Sequence, residues 1–326
     1  MRKQLLSLLR KFSKSTIAVI GDLIADEFLY GEVARISREA PVLVLDCRNL
    51  VRSPGGAANA ANNLLALGAG VTIAGAVGQD EAGKDILASL RRSGADTRAI
   101  RRLRAYSTPI KTRILAGARH AAPHQIVRID RSGNREVPLR LSRNVLEKII
   151  QTADGIILSD YGYNAISPSL RSDLCRIADT KGIPIVADSR FRMSDYTDIT
   201  AVTPNITELE ACTGISIGSD TKLLHKVAGD ALDRQRLQCL LVTQGRFGMT
   251  LFEAHRPPLH IPIYGTDEVA DVTGAGDTVI AVFTLALACG ASPAQAARLA
   301  NYAGGIVVMK QGTATVSRAE LRDALK

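Results

Sequence analysis

Asp271-Val272-Thr273-Gly274-Ala275-Gly276-Asp277 places the makings of an anion cradle and a carboxylate at one spot. Glycines at 274 and 276 let backbone N–H groups converge on one concavity. The apolar run Thr278 to Cys289 predicts a helix starting there, which adds the positive end of its dipole. A loop that merely held phosphate would avoid a negative side chain. Phosphoryl transfer needs both a cradle and a group to deprotonate the attacking hydroxyl. Asp277 is therefore read as a general base; the competing reading makes it a helix cap and the glycines a turn.

Other segments offer complementary chemistry. Gly55-Gly56-Ala57-Ala58-Asn59 precedes a helical run, so its glycines permit close backbone approach and Asn59 offers a donor and an acceptor. Gly21-Asp22 ends a short β-branched run and places a carboxylate at the C-terminal end of a buried strand, with Asp26 four residues on. Asn205-x-x-Glu208 is either a water-mediated Mg²⁺ site or a capping box. Thr243-Gln244-Gly245-Arg246-Phe247-Gly248 follows an apolar strand and forms a turn. The 271–277 loop is no dinucleotide fingerprint, because Val279 stands at the third glycine position.

The elements that must carry these residues alternate. Thr16 to Ile20, Val71 to Ala76, Gly155 to Ser159, Pro184 to Ala187, Ala201 to Thr203 and Leu240 to Thr243 read as buried strands. Between them, Ala57 to Leu67, Gly83 to Ser93, Ser142 to Thr152, Leu170 to Lys181 and Ile206 to Cys212 read as helices. The pattern predicts an α/β fold with a mostly parallel central sheet, helices on both faces, and polar strand ends converging on one edge. Segments 28–50 and 110–130 break the alternation with β-branched runs and predict a small antiparallel sheet, a lid whose edge or face could pair with a second subunit as a homodimer. The 326 residues are read as one domain with this excursion.

Composition is that of a soluble globular protein, with 46% apolar and 22% charged residues and no Trp. The net charge of +9 is spread along the chain, with Arg91, Arg92, Arg98, Arg101, Arg102 and Arg104 read as a solvated helix-and-loop face. Nucleic acid is not an expected partner. Cys47, Cys175, Cys212, Cys239 and Cys289 contain no Cys-x-x-Cys pair, so neither a disulfide framework nor a zinc site is expected, and a reducing cytoplasm is. Residues 1–12 predict an amphipathic first helix rather than a signal peptide, and the run after Asp277 is short of a membrane span.

In this order, Gly21-Asp22, Asp26, Gly55-Gly56, Asn59, Asn205-x-x-Glu208 and the 271–277 loop resemble the ribokinase-like family of sugar kinases over residues 17–316. Within it, Arg35-Ile36-Ser37-Arg38-Glu39-Ala40-Pro41-Val42, Pro54 to Asn59, Leu158-Ser159-Asp160-Tyr161, Thr203-Pro204-Asn205 and Asp271 to Thr278 look like kinases of D-glycero-β-D-manno-heptose 7-phosphate, which make the 1,7-bisphosphate for ADP-heptose and lipopolysaccharide synthesis. Many such kinases are fused to a nucleotidyltransferase; no His-x-Gly-His motif occurs here, so a stand-alone kinase is expected. The resemblance implies ATP as co-substrate and Mg²⁺, with K⁺ as a further candidate cation. It implies Asp277 as base, with the Gly274, Ala275 and Gly276 amides on the transferring phosphoryl group. Asp22, Asp26, Gly55, Gly56, Asn59 and Asp160 fall to the sugar, and Lys111, Arg113 and Arg128 on the lid to its distal phosphate. Asn205, Thr243, Gly245, Gly248, Asn301, Gly304 and Arg190 fall to the nucleotide, and Glu208 to the metal.

The chain departs from the heptose kinases in three places. Gly162-Tyr163-Asn164 replaces a small residue, Lys and Gly; Asp188-Ser189-Arg190 replaces Asp-Pro-Lys; and the segment His120 to His124 differs. The alternatives are a kinase for another sugar or sugar phosphate, and a non-catalytic sugar- or nucleotide-binding homologue.

Overall fold

Residues Ile17 and Val19 pack against one apolar cluster while Ala18 and Ile20 pack against another, which makes the first strand a central one buried on both faces. The computed structural model describes residues 1–117, 124–132, 139–265 and 270–326. In chain order its elements are α1 (Arg2–Lys11), β1 (Thr16–Gly21), β2 (Leu23–Ile36), β3 (Leu43–Gly56), α2 (Ala57–Ala66), β4 (Gly70–Gly78), α3 (Glu81–Arg92), β5 (Asp96–Leu103), β6 (Ile110–Gly117), β7 (His124–Arg131), α4 (Arg143–Thr152), β8 (Gly155–Asp160) and α5 (Pro168–Lys181). There follow β9 (Ile185–Ser189), β10 (Ala201–Val202), α6 (Ile206–Thr213), α7 (Thr221–Gln235), β11 (Cys239–Thr243), β12 (Met249–Glu253), β13 (Leu259–Ile261), α8 (Ala275–Ala288), α9 (Pro293–Val307) and α10 (Arg318–Ala324).

The main sheet has the order β13-β12-β11-β10-β9-β8-β1-β4-β5. It is parallel from β11 to β5, with β12 and β13 added antiparallel. Helices α1, α2, α3, α8, α9 and α10 cover one face and α4 to α7 the other. Crossovers of this kind bring the C-terminal ends of β1, β8, β9, β10 and β11 to one edge, where an open α/β sheet binds ligands. Local chemistry sets the helix ends: Ser167 caps α5 with Pro168 at its first position, and Gly182 closes it at φ 69°.

A second sheet, ordered β3-β2-β6-β7, stands apart from the first. Register puts Asp26, Phe28, Lys111, Arg113, Arg128 and Asp130 on one of its faces and Glu27, Leu29, Leu50, Ile114, Val127 and Ile129 on the other. Its strands β2 and β3 are longer than the sequence suggests, running back to Leu23 and on to Gly56.

Some expectations need correction. The arginine cluster lies partly on an edge strand, β5, whose exposed Arg98, Arg101 and Arg102 discourage further pairing there. Helix α8 begins at Ala275, three residues ahead of the expected start, so Asp277 lies inside its first turn. Of the variant segment His120 to His124, residues 120–123 lie outside the described residues.

Candidate active site

Two hydrogen bonds frame the Asp277 carboxylate. Asn59 Nδ2 donates to Oδ2 at 2.8 Å and Tyr161 Oη donates to Oδ1 at 2.9 Å. The side chain is 3% exposed. Burial pushes its pKa up to about 6; the bonds from Asn59 and Tyr161 oppose the rise, Asp26 adds to it and Lys111 opposes it. A carboxylate balanced near neutrality inside a cleft is suited to accept a proton.

The glycines around it are needed as glycines. Gly274 caps α8 at φ 76°, and a Cβ there would lie 2.3 Å from Asn59 Nδ2. The expectation of three open amides is corrected at Ala275, whose N–H is bonded to the Val272 carbonyl at 3.2 Å. The N–H groups of Gly274, Gly276 and Asp277 have no acceptor among the described residues, so the open donors of the helix mouth lie on either side of Ala275 and extend to the base itself.

Asp26 and Lys111 come from the second sheet as paired positions of β2 and β6. The Asp26 carboxylate lies over Gly55, where a Cβ would be 2.2 Å from its Oδ2. Arg113 Nη1 bonds Asp26 Oδ1 at 2.5 Å and its guanidinium lies over Phe28, so this cation already has a buried counter-charge. Lys111 is different. Its ammonium is 4.2 Å from the centre of the Tyr161 ring, the residue is 6% exposed, and burial lowers its pKa against the opposing pull of Asp26 and Asp277. It faces the reaction centre rather than a distant end of the lid. Arg128 is exposed, with both its Nε and Nη2 held by Asp130.

Two more of the residues expected at the sugar are held by the protein itself. Asp22 accepts hydrogen bonds from the backbone N–H groups of Tyr161, Tyr163 and Ala165 and so fixes the 161–165 loop; burial pushes its pKa up to about 6. Asp160 is enclosed by Arg192, Ser189, Tyr196 and the Gly162 N–H. Asn59 serves the base directly and Gly56, at φ 57°, is confined by the Asp22 carbonyl.

A cavity of about 1000 Å³ adjoins this centre, lined by Asn205, Thr243, Gly245, His225, Phe247 and His260 among others. Gly248, at φ 84°, shapes its turn, since a Cβ would sit 2.1 Å from the Ile261 carbonyl. Asn301 and Gly304 act behind it: Asn301 Nδ2 donates to the Pro262 carbonyl, and a Cβ on Gly304 would meet Val279 at 3.3 Å where α9 packs on α8. Neither is among the residues that line the cavity.

Glu208 closes a capping box with Asn205, its Oε2 accepting from Asn205 N–H at 2.9 Å. The capping-box reading of that motif is realised, and Glu208 also shares its surroundings with Asp188. Burial raises the pKa of both acids; Glu208, then Asp277 and Asp160, add to the rise at Asp188, and Arg190 opposes it at Glu208. Two hard oxygen donors that resist ionising together, next to the helix mouth where Gly276 approaches Asp188 Oδ2, form a donor set that suits Mg²⁺. Arg190 lies at this junction and over the exposed ring of Phe191, and is not among the residues lining the 1000 Å³ cavity.

Tyr161 and Asp188 escaped the reading of the sequence as functional residues. Asp188 carried the same signal as Asp22, a carboxylate at the end of a buried strand. Nothing local marks the Tyr161 hydroxyl, whose partner is 116 positions away.

A family model for pfkB family carbohydrate kinases matches residues 14–320. The bifunctional protein HldE of Pelobacter propionicus is 40% identical over 328 residues, 99% of this chain and 66% of that protein. The HldE of Geobacter sulfurreducens is 40% identical over 329 residues, again 99% and 66%. The chain thus spans just under two thirds of the length of these relatives. In fold it is similar to Arabidopsis thaliana ribokinase complexed with ribose and ATP (TM-score 0.78, 22% identity, 96% of this chain and 99% of that one). It is also similar to Escherichia coli phosphofructokinase-2 in complex with potassium (TM-score 0.70, 18% identity, 95% and 98%).

Proposed function

The chain belongs to the pfkB family of carbohydrate kinases, and we propose that it transfers the γ-phosphoryl group of ATP to the anomeric hydroxyl of D-glycero-β-D-manno-heptose 7-phosphate. One observation carries this reading: the buried Asp277 carboxylate stands at the mouth of α8, between the Asp26 and Lys111 face of the second sheet and the large cavity. The HldE relatives support the heptose phosphate as acceptor.

In this mechanism the acceptor hydroxyl gives its proton to Asp277 as its oxygen forms a bond to the γ-phosphorus. The bond from that phosphorus to the bridging oxygen breaks, and ADP leaves with the electron pair. Gly276 and Asp277 N–H groups offer hydrogen bonds to the oxygens on which charge spreads. Asp188 and Glu208 would hold Mg²⁺ with intervening water, and the ion when bound neutralises phosphate charge. Asp26 would accept from the sugar, and Lys111, with its counter-charges at hand but no ion pair among the described residues, would meet an anionic oxygen of the substrate.

The second sheet would act as the lid in a single kinase domain. Its outer face carries Leu29, Leu50, Ile114, Val127 and Ile129 in register, with Leu50, Val127 and Ile129 exposed. Such a stripe would pair with a second copy. Among the described residues no helix is long and apolar enough to cross a membrane, and the free cysteines suit a cytoplasmic enzyme.

The test is ADP release across a panel of sugars and sugar phosphates. Turnover with the heptose 7-phosphate, exceeding that with fructose 6-phosphate or ribose, supports the reading. Turnover with another sugar and none with heptose 7-phosphate would replace the substrate, an outcome to which Gly162-Tyr163-Asn164 gives weight, because no cation occurs there.

A further inference from the structure

We propose that Tyr161 is a positioning residue for the base: its hydroxyl on Oδ1, opposite Asn59 on Oδ2, sets the plane of the Asp277 carboxylate and holds it ionised inside the protein. The inference rests on the phosphoryl-transfer reading of Asp277 and assigns the tuning of that base to a side chain which need not touch substrate.

The two donors arrive from different elements, Asn59 from the first turn of α2 and Tyr161 from the loop after β8. With one donor on each oxygen the carboxylate cannot turn about its Cβ–Cγ bond without breaking one of them. Each oxygen keeps a further lone pair for an incoming hydroxyl. Tyr161 is itself immobilised, because its N–H is bonded to Asp22 at 2.8 Å and its ring lies under the Lys111 ammonium. A cation over the ring draws electron density from the phenol and strengthens O–H donation.

The charged groups facing Asp277 are Asp26 from β2, Lys111 from β6 and Asp188 from β9. Burial disfavours its ionised form most strongly and Asp26 adds to this; Asn59, Tyr161 and Lys111 favour it, and the Asp277 charge in turn raises the pKa of Asp188. Removing the hydroxyl shifts that balance toward the protonated acid, which cannot take a proton from substrate.

The experiment is the pH profile of kcat/KM for the sugar phosphate at saturating MgATP, on the full chain. In Tyr161→Phe the acid limb should move up by roughly one pH unit. With 3-fluorotyrosine placed at 161, a stronger donor of nearly the same shape, it should move down. Limbs that coincide with the wild type while Asp277→Asn is inactive would overturn the positioning role and leave the base assignment standing. An Asp277→Asn enzyme that still transfers phosphate would overturn the base assignment itself, and this inference with it. The fluorotyrosine arm decides the matter even if Tyr161→Phe fails to fold.

Discussion

Asn59 on α2 and Asp277 on α8, 218 positions apart, meet through a 2.8 Å hydrogen bond at the point where the two glycine-containing segments approach each other. The contact explains why Gly274 cannot carry a side chain. Gly274→Ala would need φ 76° from an L-residue and would drive a methyl into Asn59 Nδ2. We expect turnover to fall by on the order of a hundredfold or more, with thermal stability reduced by about 1 to 3 kcal/mol. Wild-type rates in this variant would contradict the packing described.

Asp22 predicts a different phenotype. Asp22→Ala removes the acceptor for the Tyr161, Tyr163 and Ala165 amides, so the loop that presents Tyr161 should loosen. A stability loss on the order of 3 kcal/mol is expected, with kcat reduced and the KM for ATP little changed. The pH dependence has a defined sign. The folded pKa of about 6 lies above the carboxyl's ordinary value of 3.8, so the ionised form is penalised above pH 6 and the penalty is relieved as pH falls toward 4. Wild type should gain this increment of stability over that window, and the variant should lack it, as thermal melts at several pH values would show.

Much of this was legible in the chain. Six β-branched or apolar runs gave six of the seven parallel strands within a residue or two, because strands buried on both faces must be apolar throughout; the edge strand β5, rich in arginine, was not among them. Helices α9 and α10 carried readable caps at Ser292 and Ser317 yet have no strand after them to complete the alternation, and β12 and β13, which return antiparallel, were not among the expected strands. At the site, Asp277, Asp26, Gly55 and Glu208 could be singled out because glycine spacing and carboxylates at strand or helix ends are local signals. The roles of Asp22, Asp160 and Arg128 were not, since each is decided by a partner: the 161–165 amides, Arg192 and Asp130.

Lys111 should separate the two substrates. Lys111→Ala leaves the large cavity untouched while removing the cation that lies over the Tyr161 ring and feels the charge of Asp277. The KM for the phosphorylated sugar should rise at least about tenfold and the KM for ATP by no more than about twofold. An unchanged sugar KM would place the substrate's anionic group elsewhere.

Glu208 tests the metal site. Glu208→Gln keeps the capping geometry with Asn205 but removes the carboxylate charge. The Mg²⁺ concentration for half-maximal rate should rise about tenfold or more, with helix stability nearly unchanged. An unaltered Mg²⁺ titration would remove Glu208 from the donor set.

The most direct measurement is single-turnover phosphoryl transfer by Asp277→Asn with ATP and heptose 7-phosphate, read beside ATP affinity and thermal stability. The variant keeps shape and removes proton acceptance, so transfer should fall by on the order of a thousandfold or more with ATP affinity within about twofold of wild type. Losing a buried charge whose pKa is pushed to about 6 should also raise stability at neutral pH. Transfer at the wild-type rate would contradict the account at its centre.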